Sequence, residues 1–192
     1  MDALFGIMTA FGLSASAGVN AYIPLLVVGV VAHYTQWIKL NPPYDTLANP
    51  WVLIVVSLLL IIEMVADKIP AVNHINDIIQ TGVRPAAGAI IFAASAHAIT
   101  NVNPVIAIVC GLLVSGGVHV IKSAAIRPAV TATTGGAANV PVSITEDVVA
   151  TGVSILSIVI PALVAVFLIV FIVLITWWIW RRAQKKRQGN QI

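Results

Sequence analysis

The chain reads as an all-α membrane protein of two inverted half-units, with about five clear spanning helices and one broken or re-entrant polar segment. Three observations carry that expectation. Hydrophobic residues fill 59% of the 192 positions and charged residues 9%, against about 25% charged in soluble domains. Several apolar runs approach the roughly 20 residues that a crossing needs. Two phrases also occur twice, in the same order. Gly12-Leu13-x-x-Ser16-x-Gly18-Val19 returns as Gly111-Leu112-x-x-Ser115-x-Gly117-Val118, and Asp77-Ile78-Ile79-x-Thr81-Gly82-Val83 returns as Asp147-Val148-Val149-x-Thr151-Gly152-Val153. Halves related by inversion are a plan that many secondary transporters use, with the substrate site between the halves near the bilayer midplane.

The first half-unit covers 1–100. Its opening, Met1-Asp2-Ala3-Leu4-Phe5, has no positive n-region, so no cleaved signal peptide is expected. A span over about 5–31 begins with Gly, Ser and Ala residues that permit close helix contact. The stretch 32–50, with Asn41-Pro42-Pro43 and Asn49-Pro50, is a loop. Spans at about 51–66 and 85–100 follow, with an amphipathic segment, 69–83, between them.

The second half-unit covers 101–181 and starts with the turn Asn101-Val102-Asn103-Pro104 and a span at about 104–122. The last apolar run, Val148 to Trp180, would make roughly 50 Å of helix, too long for one perpendicular crossing of a core about 30 Å thick and too short for two. It is expected to hold a span at about 155–180, bent at Pro161 and continuing a segment from around Thr145. Trp177, Trp178 and Trp180 then anchor the interface before a basic cytoplasmic tail, 182–192.

Parity tests this count. With the N-terminus cytoplasmic, four spans return Lys122 and Arg127 to the cytoplasm, and one further span would leave the basic tail outside, against the positive-inside rule. The stretch 123–145, within the broken segment 123–147, must therefore cross, or an odd number of other crossings must be found. It is too polar to face lipid, so the expectation is a broken, buried crossing with Gly135-Gly136 and Pro141 at the break. An orientation with both termini outside, or only one inside, is the alternative.

Charge and cysteine usage exclude other classes. Outside the tail, five basic residues (Lys39, Lys68, Arg84, Lys122, Arg127) stand against seven acidic ones, a formal charge of −2. The net positive charge therefore belongs to Arg181, Arg182, Lys185, Lys186 and Arg187 and is no nucleic-acid footprint. Cys110 is single, so one chain holds no disulfide framework or cysteine metal site. No P-loop, dinucleotide fingerprint or Gly-x-Ser-x-Gly elbow occurs. No enzyme activity, cofactor or resident metal is expected.

Ionisable residues inside a bilayer cost at least about 2.5–3.5 kcal/mol each and mark candidate sites. Glu63 and Asp67 lie four apart on one helical face. His74, Asp77, Thr81 and Arg84 form one stripe of the 69–83 segment. His119, Lys122 and Arg127 follow in the second half, and Glu146-Asp147 opens the last helix. Thr133, Thr134, Gly135, Gly136 and Asn139 could replace a solute's hydration shell at the break. The structural alternatives are headgroup-level charges at 63–68, helix capping by Asp77 and Asp147, snorkelling by Arg84 and Arg127 and a packing role for His97.

Three phrases are distinctive together: Ala66-Asp67-Lys68-Ile69-Pro70-Ala71-Val72-Asn73-His74, Val83-Arg84-Pro85-Ala86-Ala87-Gly88-Ala89, and Thr131-Ala132-Thr133-Thr134-Gly135-Gly136 with Asn139 and Glu146-Asp147. With the Gly18-Val19-x-x-Tyr22-x-Pro24-Leu25-Leu26 opening and the stretch from His119 to Arg127, they make nearly the whole chain resemble the bacterial membrane-protein family catalogued as domain of unknown function 4126. Asn73 stands where the resemblance implies an Asp before the His. The resemblance implies membrane placement and names no substrate.

These readings together lead to a multi-pass inner-membrane secondary transporter or channel for a small polar or ionic solute. Asp77, Asp147 and Glu63 would carry coupling protons or cations, through carboxylate pKa values raised by burial. Arg84, Lys122 and Arg127 would balance them or hold an anion. Its partners would be membrane lipids and that solute, with no nucleic acid, and the glycine-rich faces permit a homodimer. The alternatives are a flippase- or scramblase-like protein that holds lipid phosphate at Arg84 and Arg127, a divalent-metal transporter using His74, Asp77, Glu63, Asp67 and His119, and a non-transporting scaffold whose charges pair off completely.

Overall fold

The computed structural model describes residues 3–97 and 102–189, with the side chains of 3, 70–74, 97 and several positions between 162 and 189 outside that description. The fold is all-α, with no strand among the described residues. The helices are α1 (Ala3–Val19), α2 (Tyr22–Tyr34), α3 (Pro50–Ala66), α4 (Pro70–His97), α5 (Pro104–Ile121), α6 (Arg127–Thr134), α7 (Asn139–Val159) and α8 (Pro161–Gly189), with a 3-10 turn at Tyr44–Ala48 and a π turn at Lys122–Ile126. Among the described residues, Ile75–Ala96, Pro104–Thr134 and Asn139–Val159 are long and apolar enough to cross a membrane, while α1, α2 and α3 are apolar but shorter. The chain is a multi-spanning membrane protein.

Prolines and asparagines set the boundaries. Asn49 and Asn103 each accept a hydrogen bond from the backbone N–H two residues on, capping α3 and α5, and each is followed by a proline that needs no donor there. The expected single span over 5–31 is instead two helices meeting at Asn20-Ala21. Pro24 has no N–H for the Asn20 carbonyl, and the free N–H groups at the start of α2, those of Tyr22 and Ile23, donate to the Asn20 side-chain oxygen.

Conversely, 69–83 and 85–100, expected as separate elements, form one helix that runs from 70 to 97 through Pro85. The Pro85 ring faces Gly116 of α5. The last apolar run also differs from expectation. Asn139–Val159 is a helix of its own, and the chain turns at Ile160 before α8. Pro161 cannot donate to the Ser157 carbonyl, and the Thr9 hydroxyl of α1 does so instead, at 2.9 Å.

α1 lies at the centre, against α4, α5, α7 and α8. Ala10, Leu13, Ser14, Ser16 and Ala17 are buried along it. Small residues let the backbones touch: a Cβ on Gly18 would stand 2.5 Å from the Ser115 carbonyl oxygen, and Gly88 and Gly111 meet face to face. The Ser14 hydroxyl reaches the carbonyls of both Gly88 and Gly111.

The repeated phrases fall on α1 and α5, and on α4 and α7. They make matching contacts. Ser16 bonds the Ser154 hydroxyl of α7 at 2.8 Å, and its counterpart Ser115 donates to the carbonyl of Arg84 at 2.7 Å. Arg84, the residue after the first Asp phrase, corresponds to Ser154, the residue after the second. One turn along, Asn20 meets Asp147, while its counterpart His119 meets Thr81, one turn past Asp77.

Candidate functional site

Helical spacing brings the charges together. The end of α3 presents Glu63, Asp67 and Lys68; α4 presents Asn76, Asp77, Gln80, Thr81 and Arg84; α7 presents Ser143, Glu146 and Asp147. The π turn between α5 and α6 adds an extra residue per turn, a device often found at functional sites. It leaves both Lys122 and Arg127 among the same carboxylates.

Arg84 is fully buried at 0% exposure. Its Nη2 donates to Glu63 Oε1 at 2.9 Å and stands 4.0 Å from Asp67 Oδ2. Its Nη1 lies 3.1 Å from His119 Nδ1. A guanidinium has donors only, so Nδ1 accepts and the proton of a neutral His119 ring sits on Nε2. Nε2 then donates to the Thr81 hydroxyl at 3.1 Å, which donates onward to the Asp77 carbonyl at 2.9 Å. One relay thus runs from α3 through α4 and α5 back to α4.

Arg127 is a second hub. It contacts Asp67 at 2.8 Å, Glu146 at 3.1 Å and Asp77 at 3.4 Å. Asp67 also accepts from Asn76 at 2.7 Å and from Ser143 at 3.4 Å. Lys122 donates to Glu146 at 2.9 Å and to the Val19 carbonyl at the end of α1 at 2.8 Å. Lys68 lies 3.6 Å from Asp147, whose other oxygen accepts from Asn20 at 3.0 Å. Removing one partner from a buried pair of this kind costs about 3–5 kcal/mol.

The cluster unites Glu63, Asp67, Asp77, Thr81, Arg84, His119, Lys122, Arg127, Glu146 and Asp147. The geometry bears on the alternative roles of several of these residues. Glu63 and Asp67 are buried against other helices, and Arg84 is enclosed. Asp77 and Asp147 sit well inside α4 and α7, where they cap nothing. The side chains of His74, Asn73 and His97 lie outside the described residues.

The expected buried break is a correction. Residues 123–134 are helical, and the break is confined to 135–138, with left-handed backbone at Gly135 (φ 63°) and Gly136 (φ 91°) as glycine allows. Pro141 lies in the first turn of α7, where its missing N–H costs nothing. Thr133, Thr134 and Gly135 are exposed, and Gly136 and Asn139 are half-exposed. Their hydroxyls serve the helix itself: Thr133 bonds Ala129 and Thr134 bonds Val130, while Thr131 donates to Asn139. None of them joins the charge cluster.

Asn20, Asn76, Gln80 and Ser143 join it without having been anticipated. Position offered the only signal: Asn76 adjoins Asp77, Gln80 precedes Arg84 by one turn, and Asn20 is the counterpart of His119. Among the described residues, no group of three His, Cys, Asp or Glu is arranged to hold a metal ion.

A buried ion-pair cluster among apolar helices marks the class, a multi-spanning α-helical membrane protein. The chain belongs to the family described as Domain of unknown function (DUF4126), whose family model matches residues 7–181. No curated protein and no solved structure matches it.

Proposed function

We propose that the protein is a small secondary transporter or channel of the inner membrane for a small polar or ionic solute, built from two inverted half-units and coupled to protons or cations. The carrying observation is that the duplicated phrases, through matching contacts, bracket a buried charge cluster: Ser16 and Asn20 on α7, Ser115 and His119 on α4. Under this reading α1 with α7 and α5 with α4 are the related pairs. Alternating access would be a rocking of one pair against the other around the ion pairs. Exchange of partners among Arg84, Arg127 and the five carboxylates would supply the two discrete arrangements that such rocking needs. The orientation proposed is C-terminus inside, with Trp177, Trp180 and the basic tail at the cytoplasmic interface, where Arg181 stacks on Trp177 at 4.3 Å.

The ion-pair geometry favours this over lipid handling. Arg84 is held by Glu63 and His119, and Arg127 by three carboxylates, so a lipid phosphate would have to displace anions already bound. A scaffold reading asks for complete pairing. Every charge of the cluster has an ion-pair partner, but Glu63 Oε2 and Arg84 Nε are buried without a hydrogen-bond partner, and these spare polar atoms support a site with a changing occupant.

The test is uptake of a panel of ions and small acids into liposomes holding the purified protein, with and without a pH gradient. Asp77→Asn keeps the residue's shape and leaves Asp67 and Glu146 to hold Arg127. Saturable uptake that this variant abolishes is the expected result. Movement of lipid reporters with no solute flux would replace the proposal with lipid handling, and movement of neither would leave the scaffold.

A further inference from the structure

His119 is 2% exposed, and both of its ring nitrogens are engaged. Nδ1 stands 3.1 Å from Arg84 Nη1, and Nε2 stands 3.1 Å from the Thr81 hydroxyl. A guanidinium nitrogen offers only donors, so the first contact holds as long as Nδ1 keeps its lone pair. A proton on Nδ1 would set two donors face to face in a buried site. The ring can therefore keep Arg84 or gain a charge, and not both.

A charge gained there would meet a carboxylate short of a partner. Four cations (Lys68, Arg84, Lys122, Arg127) stand among five carboxylates (Glu63, Asp67, Asp77, Glu146, Asp147). Lys68 pairs with Asp147, Arg84 with Glu63 and Lys122 with Glu146, which leaves Asp67 and Asp77 to share Arg127. Asp67 holds it at 2.8 Å and Asp77 at 3.4 Å. Asp77 lies one turn before Thr81 on α4, and its charge reaches His119. An imidazolium at that place would be the missing cation.

We propose that His119 is the proton-binding site of the cluster and a latch on Arg84: an N–H bond forms at Nδ1, the ring becomes an imidazolium, the contact with Arg84 Nη1 breaks, and the Nε2–H keeps Thr81. The charged groups that face the ring are Arg84 and Asp77 of α4, Lys122 of the π turn and Arg127 of α6. The other helix packed on α5, α1, contains no titratable residue. Released from α5, Arg84 keeps Glu63 at 2.9 Å and has Asp67 Oδ2 4.0 Å away to close upon. The imidazolium takes Asp77 as its countercharge, which loosens the hold of Asp77 on Arg127. Proton binding and the Arg84 contact exclude each other, so each weakens the other by the same factor. One proton thus unties α5 from the ion pair of α3 and α4. This deepens the transporter reading by naming the residue that takes the coupling proton, and it rests on that reading for the proton's use, though not for its binding.

Solid-state NMR of the full chain in lipid, with isotope-labelled histidine and arginine side chains, tests it, because the two neutral tautomers and the imidazolium differ in their ring-nitrogen shifts. His119→Gln identifies the signal by its loss. The expected result at neutral pH is a neutral ring protonated on Nε2 and in contact with a guanidinium. On acidification that ring should become an imidazolium and lose the guanidinium contact over the same pH interval. If His119→Gln does not fold, the contact between ring and guanidinium is the identifier, and its absence from the wild type at neutral pH overturns the proposal. An imidazolium that keeps the contact overturns it too, as does a ring that stays neutral at every pH where the protein is folded. Saturable uptake with such an unresponsive ring would sink this inference alone, and the coupled change of ring and contact without uptake of any solute would sink the transporter reading alone.

Discussion

Two polar regions of this chain, one uncharged and one charged, meet opposite fates. The stretch 131–139 is rich in threonine and glycine and lies on the surface, its hydroxyls folded back onto their own helix. The residues around Glu63, Arg84 and Arg127 are charged and therefore costlier to bury, yet they are the enclosed ones. The difference is one of partners. A threonine can satisfy itself on the carbonyl four residues back, so nothing draws it inward. A guanidinium or carboxylate at membrane depth cannot, and it is tolerated only against opposite charges supplied by other helices. Four elements converge here to supply them, so burial follows the demand for partners rather than polarity as such.

Breaking that convergence should cost far more than altering the turn. Arg84→Leu leaves the Glu63 carboxylate and the His119 acceptor unanswered, and should destabilise the protein by about 3–5 kcal/mol, read as a fall in the thermal unfolding midpoint in one fixed detergent. A midpoint within experimental error of wild type would refute the idea that this ion pair is structural. Asn20→Ala removes both the cap on Tyr22 and Ile23 and the bond to Asp147, so a loss of about 1–2 kcal/mol is expected in the same assay.

Gly135→Ala places a side chain at φ 63° and should cost about 1–2 kcal/mol through local strain alone, with solute uptake unchanged. Loss of uptake at normal stability would restore the turn as part of the site. Thr133→Ala comes last, with a change within about 0.5 kcal/mol. A larger effect would mean that its hydroxyl serves more than the carbonyls of Ala129 and Val130.

The cluster was partly legible beforehand because ion pairs on helices follow spacing. Glu63 with Asp67, Asp77 with Thr81 and Arg84, and His119 with Lys122 each occupy one helical face, and the structure brings all of these together. Asn20, Asn76, Gln80 and Ser143 were not legible. An uncharged polar residue in an apolar helix carries little cost until its surroundings are known, so position alone does not mark it. The helix breaks divided similarly. Pro161 was visible as an interruption, but the break at Asn20 falls one turn before Pro24, while α4 runs unbroken through Pro85.

The sequence by itself determined that this chain is helical and membrane-spanning, where its prolines would stress the helices, and which charged residues share a face. These are consequences of composition and of a 3.6-residue period, both local. Only the tertiary structure decided which carboxylate meets which cation, that the threonine-glycine turn stays outside, and that a neutral His119 joins Arg84 to Thr81. Those outcomes turn on distances between helices far apart in the chain. They are set where Gly18, Gly88 and Gly111 let the helix backbones approach.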